Sequence, residues 1–125
     1  MRILLDSNIL YWSIIEPEKI GKTVAEVLTS PENEAWVSSV SLAELRIKQA
    51  IGKLRLPEAF DQEVISLGYE MLDLKLAHTR WLAELPLIHR DPFDRMLIAQ
   101  AIEEGLTIVT SDQAFARYPV QTLLN

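Results

Sequence analysis

Five short apolar runs, at residues 2–5, 34–38, 69–73, 106–110 and 120–124, alternate with longer segments whose apolar residues recur at helical spacing. That alternation is the strongest constraint on the fold. Runs this short read as buried strands, and the amphipathic segments between them as helices that return the chain to the same end of a sheet. The expected architecture is α/β: a central, mostly parallel sheet of about five short strands with helices on both faces. A chain of 125 residues has room for one such domain, residues 1–125, with a real core.

Local punctuation places the helices. Residues 9–12 continue from Asp6-Ser7-Asn8 as a helical turn or two, broken by Glu16-Pro17-Glu18, and residues 22–29 form the next helix before the turn at Pro31-Glu32-Asn33. Ser41-Leu42-Ala43-Glu44 has the form of a capping box, so a helix is expected to open at Ser41. Ala43, Ile47, Ala50 and Ile51 would share its apolar side, with Glu44 at the edge and Gly52 as the stop. Leu56-Pro57 opens another helix, with Phe60, Val64 and Leu67 inward, and residues 74–85 form one more, closed by Pro86. Asp91 then stands as an N-cap with Pro92 at the first helical position, and this helix runs to Glu104 and ends at Gly105.

Asp94 lies three residues after that cap, and Leu97, Ile98 and Ala101 surround the direction in which it points. A carboxylate is thus placed on the face that should be buried. It can serve there as a cap, or as a holder of a cation. Parallel sheets bind ligands at the carboxyl ends of their strands. Asp6 and Asp112 follow strand ends, while Glu44 and Asp94 lie in early turns of helices that begin on the same edge. Each has a plain structural alternative: Asp6, Asp91 and Asp112 as caps, Glu44 as part of its capping box or paired with Lys48. Residue type favours function. Serine, threonine and asparagine cap equally well without charge, whereas converging acids repel one another and are pushed toward protonation. A divalent cation removes that conflict, and hard oxygen donors suit Mg2+ or Mn2+.

Other classes fall away. The chain has no cysteine, which excludes disulfides and thiolate metal sites, and His78 and His89 are isolated, with His78 read as an ordinary helix residue. A formal net charge of −6 argues against a simple basic nucleic-acid binder, but not against an enzyme that meets phosphates through metal ions. With no run long enough to span a membrane and no signal-peptide core, a soluble cytoplasmic protein is the expectation. His89-Arg90-Asp91 matches a kinase catalytic-loop triplet only by accident, since the chain is short and lacks a Gly-rich loop. Asn8 stands where an aspartyl phosphatase would need a second acid. The alternative outside nucleases is a receiver-like metal-binding signalling module, which usually pairs an acid beside the first strand with a lysine after the last. Neither is evident here.

The acid-bearing segments resemble a known family. Leu4-Leu5-Asp6-Ser7-Asn8 is similar to the opening motif of PIN-domain ribonucleases, and Val37 to Leu45 resembles their second motif. His89 to Ala101 is similar to the third, in the form found in one branch of the VapC-type toxins. Ile108-Val109-Thr110-Ser111-Asp112 matches the fourth, and the four occur in the family's order along nearly the whole chain. The resemblance implies a Mg2+-dependent (or Mn2+-dependent) endoribonuclease, the toxin of a toxin–antitoxin pair, acting on RNA and held by a cognate antitoxin. By position it carries over Asp6, Glu44, Asp94 and Asp112 as the catalytic acids. Asp6, Asp94 and Asp112 would hold metal, with Glu44 and Asp91 as further candidates. Ser7 stands where the family often has threonine and keeps the hydroxyl. Arg46, Lys48, Lys53, Arg55, Arg90 and Arg95 are candidate phosphate contacts, and Trp81 and Leu82 could serve a homodimer interface or, more simply, the core.

Overall fold

The computed structural model describes residues 1–88 and 90–125. His89, part of the third motif, lies outside the described residues. The sheet has five strands, all parallel, in the order β3-β2-β1-β4-β5: β1 Arg2–Leu5, β2 Glu34–Ser38, β3 Glu70–Leu72, β4 Thr107–Thr110 and β5 Thr122–Leu124. The expected strands are all present: β1 and β2 at their expected bounds, and β3, β4 and β5 one or two residues shorter.

Between them run α1 Ser7–Ile15, α2 Lys22–Thr29, α3 Ser39–Ala50, α4 Phe60–Ser66, α5 Leu76–Glu84 and α6 Pro92–Glu104, with short 3-10 turns at Pro17–Lys19 and Gln113–Arg117. Successive residues of β1 face opposite sides. Ile3 and Leu5 enter a core with Leu10, Leu45 and Phe60, while Leu4 enters a second core with Leu97, Ile98 and Phe115. Both faces of the sheet are therefore covered, as a parallel sheet requires. Gly105 ends α6 in the left-handed region at φ 67°, which an L side chain adopts only with strain.

Four helix starts differ from the sequence reading: α1 begins at Ser7 and α5 at Leu76, each two residues from the expected start, and α3 and α4 differ as well. α3 begins three residues earlier than expected: Ser38 is the N-cap, its Oγ accepting from the Val40 N–H at 3.0 Å. Ser41 is consequently inside the helix, and no capping box joins it to Glu44. The buried stripe of α3 is Val40, Ser41, Glu44 and Leu45, while Ile47 and Ile51 are 49% and 62% exposed. The expected apolar side is thus turned outward. α3 packs against α1 and α6 where those helices bring polar groups, so its inward stripe is polar as well. α4 begins at Phe60 and not at Pro57, although Phe60 and Val64 point inward as expected and Leu67 is half-buried.

Candidate active site

Because β1 and β4 are neighbours, Asp6 and Asp112 emerge from adjacent strand ends, and α3 and α6 start on the same edge. Asp6 is buried. It caps α1, accepting from the Asn8 N–H at 3.3 Å through Oδ1, while its Oδ2 accepts from the Thr110 hydroxyl at 2.6 Å. The same Thr110 Oγ1 accepts from the Asp112 N–H at 3.0 Å. One fully buried hydroxyl thus links the two strand-end acids. Asp112 in turn caps the turn after β4, accepting from the Ala114 N–H at 2.9 Å. Glu44, only 5% exposed, accepts from the Ser7 hydroxyl at 2.6 Å through Oε1, and its Oε2 lies 2.9 Å from Lys48 Nζ.

Asp91 caps α6 as read from sequence, accepting from the Phe93 and Asp94 N–H groups at 2.8 and 3.4 Å. Asp94 is half-buried one turn into the helix. Burial, followed by the charges of Asp91, Asp6, Glu44 and Asp112, pushes its carboxyl up to about 8. Asp6 is raised too, by burial first, although the hydrogen bonds from Thr110 and Asn8 and a like charge from Glu44 pull in opposing directions. The other four sequence-identified acids therefore all act on Asp94. Capping and convergence prove compatible: Asp6, Asp91 and Asp112 are caps and members of the cluster at once.

The donor set is entirely carboxylate oxygen, and its members are short of positive charge. That chemistry fits a hard divalent cation. Among the described residues no three Asp, Glu or His side chains form a ready-made metal cage. Oxygens of Asp6 and Glu44 are instead turned to hydroxyls and to Lys48.

The basic candidates separate clearly. Arg46 is bound to Asp61 at 2.6 Å and to Gln49 at 3.0 Å. Arg95 donates to the Pro86 and Leu82 carbonyls at 2.8 and 3.0 Å, tying α6 to the end of α5. Lys48, Lys53 and Arg90 line a groove between α3 and the start of α6. Arg55 is exposed, and its carbonyl accepts from the Tyr11 hydroxyl at 3.4 Å. Trp81 and Leu82 are half-buried against the α5–α6 core.

Three supporting residues escaped the sequence reading. Thr110 was visible only as a β-branched strand residue two places before Asp112. Gln100 is a fully buried amide in an otherwise apolar stretch, accepting from the Ser38 hydroxyl at 2.5 Å and so joining the start of α3 to α6. Its Nε2 and the Ser41 hydroxyl have no hydrogen-bond partner among the described residues. His78 is fully buried and caps α5. Its Nδ1 accepts from the Lys75 N–H at 2.9 Å, which leaves the proton of the neutral ring on Nε2, 3.0 Å from Glu104.

A five-stranded parallel sheet with acids gathered at the carboxyl ends of its central strands defines an α/β domain with an acidic edge. Residues 3–121 match the PIN domain family, and the chain belongs to it. Among curated proteins it is similar to Ribonuclease VapC22 of Mycobacterium tuberculosis, 30% identical over 118 residues that cover 89% of this chain and 87% of that one. The fold matches VapBC2 from Rickettsia felis bound to a promoter DNA fragment, with TM-score 0.78, 23% identity, and 100% and 99% of the two chains covered. It also matches FitAcB from Neisseria gonorrhoeae, with TM-score 0.71, 23% identity, and 98% and 96% covered.

Proposed function

We propose that the chain is a VapC-type endoribonuclease, the toxin of a type II toxin–antitoxin system, which hydrolyses RNA phosphodiester bonds at the Asp94 cluster with Mg2+ or Mn2+. The observation that carries this is the convergence of acids from separate segments on Asp94, whose carboxyl is raised by each of the others. Asp6, Asp94 and Asp112 would hold the cation, with Glu44 and Asp91 beside them. When bound, it neutralises charge on the phosphate and makes a water more acidic. Thr110 fixes Asp6 and the backbone of Asp112 in one arrangement, and Ser7 fixes Glu44, so the acids are oriented before RNA arrives. Glu44, held between Ser7 and Lys48 beside the cluster, is the residue we assign to orienting the attacking water.

The same reading requires a cognate antitoxin, because a constitutively active ribonuclease harms its own cell. Structural relatives solved as complexes support that partner. A homodimer is the proposed assembly, with Trp81 and Leu82 of α5, half-buried against the core, as the residues nearest the interface. Among the described residues no helix is long and apolar enough to cross a membrane.

The test is 5′-end mapping of total cellular RNA incubated with the purified protein and Mg2+, with chelator, and with Asp94→Asn. Discrete cuts should appear with Mg2+ and vanish with chelator. The variant should slow them by ~10³-fold or more, the scale on which removing a charge-stabilising group acts. Cuts that persist undiminished in Asp94→Asn would overturn the site.

A further inference from the structure

Lys48 stands where the acid cluster meets the groove between α3 and the start of α6. Its Nζ lies 2.9 Å from Glu44 Oε2, and the Lys48 side chain is 34% exposed where that of Glu44 is 7%. Burial lowers the affinity of its amine for the proton. The hydrogen bond and attraction of Glu44, with the fields of Asp91 and Asp94, outweigh that and hold it above its ordinary range. Its ammonium therefore answers acids on two helices at once. Lys53 and Arg90 add positive charge to the same groove, whose lining also includes Ile47, Ile51 and Phe93.

An ammonium has three donors. One is directed at Glu44, and the exposed side of the group opens on the groove. An RNA phosphate approaching an edge of carboxylates meets repulsion unless a cation waits at the boundary, and Lys48 is the described side chain in that position. Arg46 and Arg95, the other basic residues of the neighbouring helices considered above, are tied to Asp61 and to backbone carbonyls.

We infer that Lys48 is a catalytic residue: its ammonium binds a non-bridging oxygen of the scissile phosphate, and in the metal-free chain it is the resident counter-ion of the acid cluster. This rests on the reading of the cluster as a metal-dependent phosphodiesterase centre. The two roles separate experimentally. A cation that neighbours the metal site repels the metal, so its removal should tighten metal binding while it slows RNA cleavage. A lysine that merely props Glu44 in place would, when removed, weaken both.

The experiment compares wild type with Lys48→Met, Lys48→Gln and Lys48→Arg. Mn2+ binding is followed by electron paramagnetic resonance on the protein alone, and cleavage by the initial rate of new 5′ ends in total cellular RNA at saturating Mn2+. Thermal melting verifies folding, and Lys48→Gln keeps a hydrogen bond to Glu44 should Lys48→Met fail to fold. Neutral variants should bind Mn2+ ~3–10-fold more tightly, as expected for a unit charge several ångströms away near a surface. They should cleave ~10²-fold more slowly. Lys48→Arg should bind Mn2+ like the wild type and recover most of the rate. Neutral variants that cleave at the wild-type rate would overturn the proposal, as would folded variants that lose Mn2+ and cleavage together. A wild type that neither binds Mn2+ nor cleaves would overturn the metal-nuclease reading itself, and the two failures are distinct.

Discussion

The Thr110 hydroxyl has a single proton, and it is donated to Asp6 Oδ2 at 2.6 Å. Asp6 is thereby oriented and partly relieved of the cost of burial. Asp94 is half-buried among its neighbours' negative charge, and its carboxyl rises to about 8 from an ordinary 3.8. The stability consequence has a definite sign. Below about pH 4 the group is protonated in folded and unfolded chains alike. Between about 4 and 8 the unfolded chain releases a proton that the folded chain keeps, so metal-free stability falls as pH rises, and it levels off above that range. Asp94→Asn should therefore leave stability unchanged at pH 4 and raise it at pH 8, by ~1 kcal/mol once solvent screening of this half-buried group is allowed for. Urea denaturation of both chains in chelator, across that range, measures it. Parallel curves would mean that Asp94 is not strained by its neighbours. Asp94 was legible in the sequence because a charge on an apolar helical face conflicts with the pattern around it. Thr110 was not, since a buried threonine in a strand conflicts with nothing.

At the scale of elements, boundaries set by strong punctuation were readable and the faces of short helices were not. Asp91-Pro92 and Gly105 bracket α6 as expected, because a cap, a fixed φ and a left-handed stop are local chemistry. The orientation of α3 is a tertiary outcome. Counting apolar residues selected Ala43, Ile47, Ala50 and Ile51, yet the helix buries Ser41 and Glu44, because the surface it covers already holds Ser7 and Gln100. Arg95 is a related case. Its place in the third motif made it a candidate phosphate contact, but its guanidinium satisfies the Leu82 and Pro86 carbonyls at the end of α5, where the helix leaves acceptors unpaired. Arg95→Ala should lower unfolding stability by ~1–2 kcal/mol through those lost charge-assisted hydrogen bonds. It should leave the cleavage rate at saturating RNA within ~3-fold, because the arm that binds α5 is not one that binds substrate. Lysine cannot reproduce the fork and should not restore stability. A stable Arg95→Ala that cleaves poorly would return Arg95 to the substrate.

For the molecule as a whole, five of the eighteen acids behind a net charge of −6 gather at one sheet edge, with Lys48 as partial compensation. A bound divalent cation should therefore act as a folding ligand as well as a catalyst. Binding to the folded chain alone stabilises by RT ln(1 + [M]/Kd), which is ~2.7 kcal/mol at a hundredfold excess over Kd. For a domain of this size that corresponds to a rise in Tm of several degrees, on the order of 10 °C. Mg2+ at pH 8 should produce such a rise, with a logarithmic dependence on concentration. NaCl at matched ionic strength should produce less, because screening weakens repulsion among exposed charges but reaches buried Asp6 and Glu44 poorly. Asp94→Asn should show the salt effect without the Mg2+ effect. Equal rises with the two salts would mean that the edge is merely screened, and that these acids act as caps without assembling a cation site.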